Sequence, residues 1–449
     1  MIDITNKYNC SGCGACTQKC PKQCIKLKQD SEGFLYPEVD TEKCIDCGLC
    51  EKVCPVLHPY EARNPLQTFA AINKDEKIRL KSSSGGIFTL LAESVIKQGG
   101  IVFGARYDED WQVTLDYTET VEGLAAFRGS KYVQARTGDT YKQCEKFLKE
   151  SRKVLFSGTP CQIAGLKHFL NKEYDNLLMA DVVCHGTPSP KVWDLYLKEV
   201  VGSVSNIANV SMRDKSRGWN RFSFVLNYNK EDETITLSVP FNKNDYMMAF
   251  LKDMILRPSC YSCAAKELKS GSDITIADFW GIQSVAPEMN DDKGAGLVLI
   301  NTNKGRECFD KLDLRKRETT FEEGYCGNPA ILRSAKPWYS REDFFYKLDD
   351  AESVISLIQE ELKPTPEMIR NEKIKAVKAL PKRIVKKLIR RQGRGNTLNI
   401  NPVNNGNINV CQLNDILSSG RKVLLEKCDF RDKTTSWSTY NVTFTFRIV

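Results

Sequence analysis

Cys10-Ser11-Gly12-Cys13-Gly14-Ala15-Cys16-Thr17-Gln18-Lys19-Cys20-Pro21 and Cys44-Ile45-Asp46-Cys47-Gly48-Leu49-Cys50-Glu51-Lys52-Val53-Cys54-Pro55 follow one pattern, offset by 34 residues (44 − 10). Three closely spaced thiols on one loop can cap three irons of a cubane. The Cys that precedes Pro points away, toward the neighbouring cluster. By that rule one 4Fe-4S cluster takes Cys10, Cys13, Cys16 and Cys54, and a second takes Cys44, Cys47, Cys50 and Cys20. Two structural zinc sites are the rival, because paired Cys-x-x-Cys motifs also suit tetrahedral metal. Zinc calls neither for a third Cys at the same short spacing nor for the following Pro, twice. Cys24 stands outside the repeat and reads as a small buried hydrophobe.

Around this unit, 449 residues allow two or three domains. Eight of the 18 Cys are used by the repeat, so the cysteine count does not imply a disulfide scaffold. The first residues carry no apolar run and no stretch reaches the length of a membrane span, so a reducing cytoplasm is the expected location. The net charge of +8 is concentrated: between Arg370 and Arg394 eleven Lys or Arg face one acid, Glu372, so that segment carries +10 and the rest −2. A nearly neutral body with one basic helical segment is not a nucleic-acid binder. That segment, 370–394, could rest on an anionic membrane surface or an acidic partner, or be a plain solvated helix.

After Pro59 the chain alternates strands and helices. Strands are expected at 68–73, 101–104, 153–156, 177–183, 273–277 and 297–300. Helices are expected at 87–98, after Pro160 and after Pro190. Residues 205–240 look richer in strand, and a helix is expected over 245–256. The expected fold is therefore an α/β core domain with a mixed, largely parallel sheet, preceded by a small α+β bacterial-ferredoxin-like domain. The domains are placed at 1–60, 61–345, 346–395 (helical and basic) and 396–449 (an Asn-rich tail).

Ligands of such sheets gather at the carboxyl ends of strands. Cys161 and Cys184 follow two of them. With Cys260 and Cys263 they could hold a third 4Fe-4S cluster; buried core thiols are the plain alternative. Another reading makes Cys161 a nucleophile served by His185, one of three His in the chain. Ser82-Ser83-Ser84-Gly85-Gly86, at a helix start, suits a cofactor phosphate, against a plain Ser N-cap. Lys131, beside Arg128 and Tyr132, could neutralise a phosphate or a reduced flavin. Arg213, Lys215, Arg217 and Trp219 read as a second basic–aromatic group or a solvated loop. Gly294-Ala295-Gly296 lacks the third glycine of a dinucleotide fingerprint.

Ser83-Ser84-Gly85-Gly86, Phe127-Arg128-Gly129-Ser130-Lys131-Tyr132, Phe156-Ser157-Gly158-Thr159-Pro160-Cys161-Gln162, Cys184-His185-Gly186-Thr187-Pro188-Ser189-Pro190 and Asp278-Phe279-Trp280-Gly281 together resemble the family of coenzyme F-420 hydrogenase/dehydrogenase beta-subunits. The resemblance spans about residues 60–340 and includes the fused ferredoxin unit. It implies FAD beside a cluster and electron transfer between a hydride carrier and iron–sulfur centres. Cys161, Cys184, Cys260 and Cys263 become cluster ligands in that view, and Ser83, Ser84, Gly85, Gly86, Lys131, Thr159 and Pro160 cofactor-binding residues. An oxidoreductase served by a redox partner protein or a soluble hydride carrier follows. Some relatives resemble proteins encoded beside polysaccharide pyruvyl transferases. The alternative is therefore a non-catalytic electron-transfer or accessory subunit in polysaccharide biosynthesis or modification.

Overall fold

The computed structural model describes residues 1–231 and 233–370, and backbone strands within 401–402, 423–431 and 441–448. They form two units, Met1–Lys363 and Pro364–Val449. In the second, the three strands Asn401–Pro402, Val423–Arg431 and Asn441–Ile448 pair in one small sheet. The basic stretch past Arg370 and most of the Asn-rich tail lie outside the described residues.

The first unit opens with the repeat. Helices α1 (Ala15–Lys19) and α2 (Leu49–Lys52) occupy matching places in the two Cys runs. Each is preceded by a glycine in the left-handed region, Gly14 at φ 74° and Gly48 at φ 70°, a turn that only glycine makes without steric cost. Strands β1 (Ile25–Gln29) and β2 (Leu35–Val39) form an antiparallel hairpin between the runs.

The core sheet contains β3 (Gln67–Asn73), β4 (Ile101–Tyr107), β5 (Val113–Thr118), β6 (Val154–Gly158) and β7 (Leu177–Val182). A separate three-stranded antiparallel sheet holds β8 (Ile207–Asp214), β9 (Ser223–Lys230) and β10 (Glu233–Pro240). The chain then returns to the core sheet with β11 (Ile274–Asp278), β12 (Gly296–Ile300) and β13 (Leu314–Thr319). The core order is β13-β3-β12-β11-β7-β6-β4-β5. The sheet is mixed as expected: β11, β7, β6 and β4 run parallel, and the flanking pairs are antiparallel. In the parallel centre, helical crossovers, α6 (Thr140–Lys149) and α7 (Pro160–Leu170) among them, return the chain to the same end.

Period-two patterning assigns the faces. Ile101, Phe103, Val154, Phe156, Leu177 and Met179 pack on one side, against Tyr141 and Leu148 of α6 and Ile163 and Phe169 of α7. Val102, Leu155, Leu178 and Ala180, one residue out of step, pack on the other. There they meet Leu91, Ala92 and Val95 of helix α4 (Ile87–Ile96). The runs look continuously apolar because both faces are buried. A further core joins helices α8 (Pro190–Val201) and α9 (Asp245–Leu251) to the three-stranded sheet and to the segment Val354–Glu361. The first unit thus continues past residue 345, because Val354, Leu357 and Ile358 complete that core.

The Cys-rich segment is seated on the core. Cys13, Ala15 and Val53 join the α6–α7 core. Gln18 Oε1 accepts from the Tyr141 backbone N–H at 2.8 Å. At the hairpin tip Glu32 pairs with Arg341 at 2.6 Å, and Ser189 Oγ donates to the Glu32 carbonyl at 2.5 Å.

Candidate functional site

The repeat brings its thiols together in two sets. Cys13 and Cys16 are buried, and the charges of Cys10 and Cys54 act on both. Cys54, the Cys before Pro55, feels the charges of both Cys10 and Cys50 and so stands between the two runs. Burial, then Cys10 and Cys54, pushes the Cys16 thiol up to about 12. Such a group cannot ionise alone, whereas a bound metal ion deprotonates its thiols outright. The backbone N–H groups of Ala15 and Thr17 point at Cys13 and Cys16.

The other set, Cys20, Cys44, Cys47 and Cys50, lines a small cavity near the surface, with Cys47 exposed. Cys24 lines it too, its sulfur 3.4 Å from that of Cys20. Cys24 is buried, as expected, but it faces the thiol set rather than an apolar core. Its place four residues after Cys20 was the available signal. Among the described residues no three ligating side chains converge at single-ion range. The thiols of the second set stand around a cavity, the arrangement in which each could bind a different iron.

The topology assembles a third set. The capping box of Thr159 and Gln162, with Pro160 in the first turn, fixes the start of α7 and so the position of Cys161. Cys184 follows β7 directly, and Cys260 and Cys263 come from the turn after α9. All four line one cavity. The Thr187 N–H donates to Cys260 Sγ at 3.3 Å. Burial, followed by the charge of Cys263, pushes the Cys161 thiol up to about 12. His185 Nε2 is 2.5 Å from Asp253 Oδ1, and a Cys161 thiol that burial holds protonated is a poor nucleophile.

Beside this cavity lies a cleft of about 320 Å³. It is at the carboxyl ends of β6, β7 and β11, as parallel α/β topology favours. Residues 82–88, 127–135 and 157–159 line it, with Ser11 and Gly12 from the first Cys run. The plain N-cap reading of the serines fails: Ser82 Oγ donates back to Ile78, and the N-cap of α4 is Gly86, with no side-chain cap. The first N–H groups of α4 are therefore available to an anion. Ser83 Oγ accepts from both N and Oγ of Ser130 (2.7 and 2.9 Å), tying the two glycine-containing loops together. Ser84 Oγ is committed to the Ala295 carbonyl. Gly85 is required by closeness, since a Cβ there would stand 2.5 Å from Ala71 O and Gly296 N.

Lys131 Nζ donates to the Arg128 and Gly129 carbonyls, at 3.1 and 3.2 Å, and lies 5.6 Å from the Tyr107 ring. Burial lowers its amine to about 7. The solvated-loop reading is overturned for Arg213, Lys215 and Trp219, which are buried, and holds for Arg217, which is exposed. Asp278 accepts two bonds from Arg213 and a third from Trp219 Nε1. Lys215 Nζ donates to the carbonyls of Arg79, Ser84 and Lys293. Arg213 and Lys215 hold the Ser-Gly loop from behind, through the Ser83 and Ser84 carbonyls, and do not line the cleft, whereas Asp278 does. Sequence reasoning missed Asp278 as their partner, and Arg257, which is buried among the Cys-bearing loops.

Comparison with known proteins follows these divisions. Residues 9–57 match the 4Fe-4S dicluster domain, and residues 151–323 match the C terminus of the coenzyme F420 hydrogenase/dehydrogenase beta chain. An F(420)H(2) dehydrogenase component of Methanosarcina mazei is 26% identical over 174 residues, 36% of this chain and 49% of that protein. A ferredoxin of Mycolicibacterium smegmatis is 34% identical over 87 residues, 19% of this chain and 71% of that protein. A chain of the F420-reducing [NiFe] hydrogenase complex from Methanosarcina barkeri aligns at a TM-score of 0.40 and 16% identity, covering 60% of this chain and 90% of that one. The chain spans about half the length of the first curated relatives it matches, 49% and 56%. Among the described residues no helix is long and apolar enough to cross a membrane. Residues 9–57 are thus a 4Fe-4S dicluster domain, and residues 151–323 belong to the C-terminal domain family of coenzyme F420 hydrogenase/dehydrogenase beta chains.

Proposed function

We propose that the chain is an iron–sulfur flavoprotein oxidoreductase that passes electrons between 4Fe-4S clusters and FAD. The observation that carries this reading is a shared wall. Cys161, Val183, Cys184, His185, Gly186 and Thr187 line both the four-thiol cavity and the large cleft. When bound, a flavin supplies the exchange of a hydride for single electrons, and each cluster carries one.

In this reading Cys10, Cys13, Cys16 and Cys54 hold one cluster, and Cys20, Cys44, Cys47 and Cys50 a second. Cys161, Cys184, Cys260 and Cys263 hold a third. The Ser83–Gly86 loop and the uncapped start of α4 take a cofactor phosphate. The Lys131 amine, which has no carboxylate partner among the described residues, supplies a cation. Thr159 lines the cleft and Pro160 the four-thiol cavity, and the helix start they form keeps Cys161 at the boundary of the two spaces. The name of the Methanosarcina mazei relative supports a further redox protein or a reduced deazaflavin as the partner.

Protein reconstituted anaerobically is expected to carry FAD and about twelve irons for three cubanes, or about eight if only the repeat is loaded. Stepwise addition of NAD(P)H, reduced ferredoxin and reduced deazaflavin identifies the donor by flavin bleaching. A protein that takes up iron and no flavin refutes the proposal.

A further inference from the structure

Arg257 is fully buried, at 0% exposure. Arg213 and Arg341, the other buried arginines of these loops, pair with Asp278 and Glu32. Arg257 makes no ion pair among the described residues. Its Nε donates to the carbonyl of Cys10 at 2.7 Å, and Nη1 donates to Gln134 Oε1 at 3.3 Å. Nη2 is buried without a partner among the described residues. The guanidinium lies over the Tyr36 ring at 4.0 Å and is 5.6 Å from that of Phe34. A buried cation held only by carbonyls and ring faces is costly to fold around unless an anion completes its surroundings.

Two thiol sets can supply that anion. Cys10, whose carbonyl the guanidinium holds, belongs to the inner set of the dicluster domain. Toward the third set, the Arg257 carbonyl accepts from the Cys260 N–H at 2.9 Å, and the charge of the same guanidinium acts on Cys161 and Cys260. A cubane held by four thiolates is net anionic, and reduction adds one further negative charge. A fixed cation therefore favours the reduced form, and net charge is one of the levers on cluster potential.

We propose that Arg257 is the shared counter-charge of the inner dicluster-domain cluster and the Cys161/Cys184/Cys260/Cys263 cluster, raising the reduction potential of both. It is a positioning residue: it ligates nothing and acts through its field and its bond to the Cys10 carbonyl. The half that concerns Cys161 and Cys260 rests on the third-cluster reading. The half that concerns Cys10 does not.

The test is an anaerobic redox titration of the full-length reconstituted protein, followed by electron paramagnetic resonance, with iron counted per chain. Arg257→Gln should keep its iron and lose at least tenfold in the reduction equilibrium constant of the inner cluster, 59 mV for one electron. Arg257→Lys, which retains the charge, should recover most of that loss. Full iron content with unchanged potentials in Arg257→Gln overturns the proposal, as does a lysine variant shifted as far as the glutamine one. If Arg257→Gln fails to hold the inner cluster, Gln134→Glu decides. A carboxylate there would neutralise the guanidinium in place, so lowered potentials support the proposal and unchanged potentials overturn it. A wild-type count of about eight irons refutes the third cluster alone; the shift at the inner cluster then still tests Arg257.

Discussion

At the scale of single residues, a cation without a carboxylate is the recurring motif around the cleft. Lys131 shows it in titratable form: burial lowers its amine from the ordinary 10.5 to about 7. Between those values the unfolded chain binds a proton that the folded chain does not, so stability rises with pH across that window. Burial also lowers Lys215 to about 7, and it contributes in the same direction. Lys131→Met should therefore flatten part of the rise in urea midpoint between pH 7 and pH 9. It should also remove the proton uptake on FAD binding near pH 8, read by calorimetry in two buffers of different ionisation enthalpy. Uptake that survives in the variant means another group meets the anion. Lys131 was legible as a type of residue in a suggestive setting. Arg257 was not, because a lone Arg between Leu256 and Pro258 carries no local pattern, and its role comes from loops more than a hundred residues apart.

Individual elements were legible where burial imposes a period. The strands of the parallel centre and helices α4, α7 and α8 were all expected within a few residues, because both-face burial, caps and prolines mark them locally. The short helix Glu76–Lys81, capped by Asp75, and strand β5, with Val113, Leu115 and Tyr117 alternating with polar residues, carry shorter signals and were missed. The predicted helix over 245–256 stops at Leu251, where Asp253 turns the chain at φ 61° and accepts from His185. That local break was made by a tertiary contact, which sequence periodicity does not report. The Ser-Gly loop is the element on which the cleft depends most. Gly85→Ala would press a methyl against the backbone of β3 and β12, 2.5 Å from each. Overpacking of this kind costs about 1–3 kcal/mol. The loop can relieve it only by moving into the cleft, so thermal unfolding should drop and FAD affinity should fall at least tenfold. A variant that keeps wild-type affinity would show that the loop does not contact the cofactor.

For the whole molecule, the dicluster domain behaves as part of the first unit rather than as a tethered module. Its hairpin tip places Glu32 against Arg341, 309 residues away in sequence. Their side chains are only 16% and 8% exposed. No repeat or motif announces such docking, so this was the least legible level. Removing one partner of a buried pair leaves the other charge unpaired, at about 3–5 kcal/mol. Glu32→Gln should accordingly lower the unfolding midpoint and expose the connection between the domains, residues 57–66, to limited proteolysis before the core is cut. Because the cost is that of an orphaned charge, Glu32→Gln combined with Arg341→Met should regain more than half of the lost stability, since an apolar replacement of the arginine removes the unpaired cation. If the double variant is no better than the single one, the tip is held chiefly by the Ser189 hydroxyl and the Lys191 ammonium on the Glu32 and Ser31 carbonyls. Ser189→Ala would then be the variant that releases the domain.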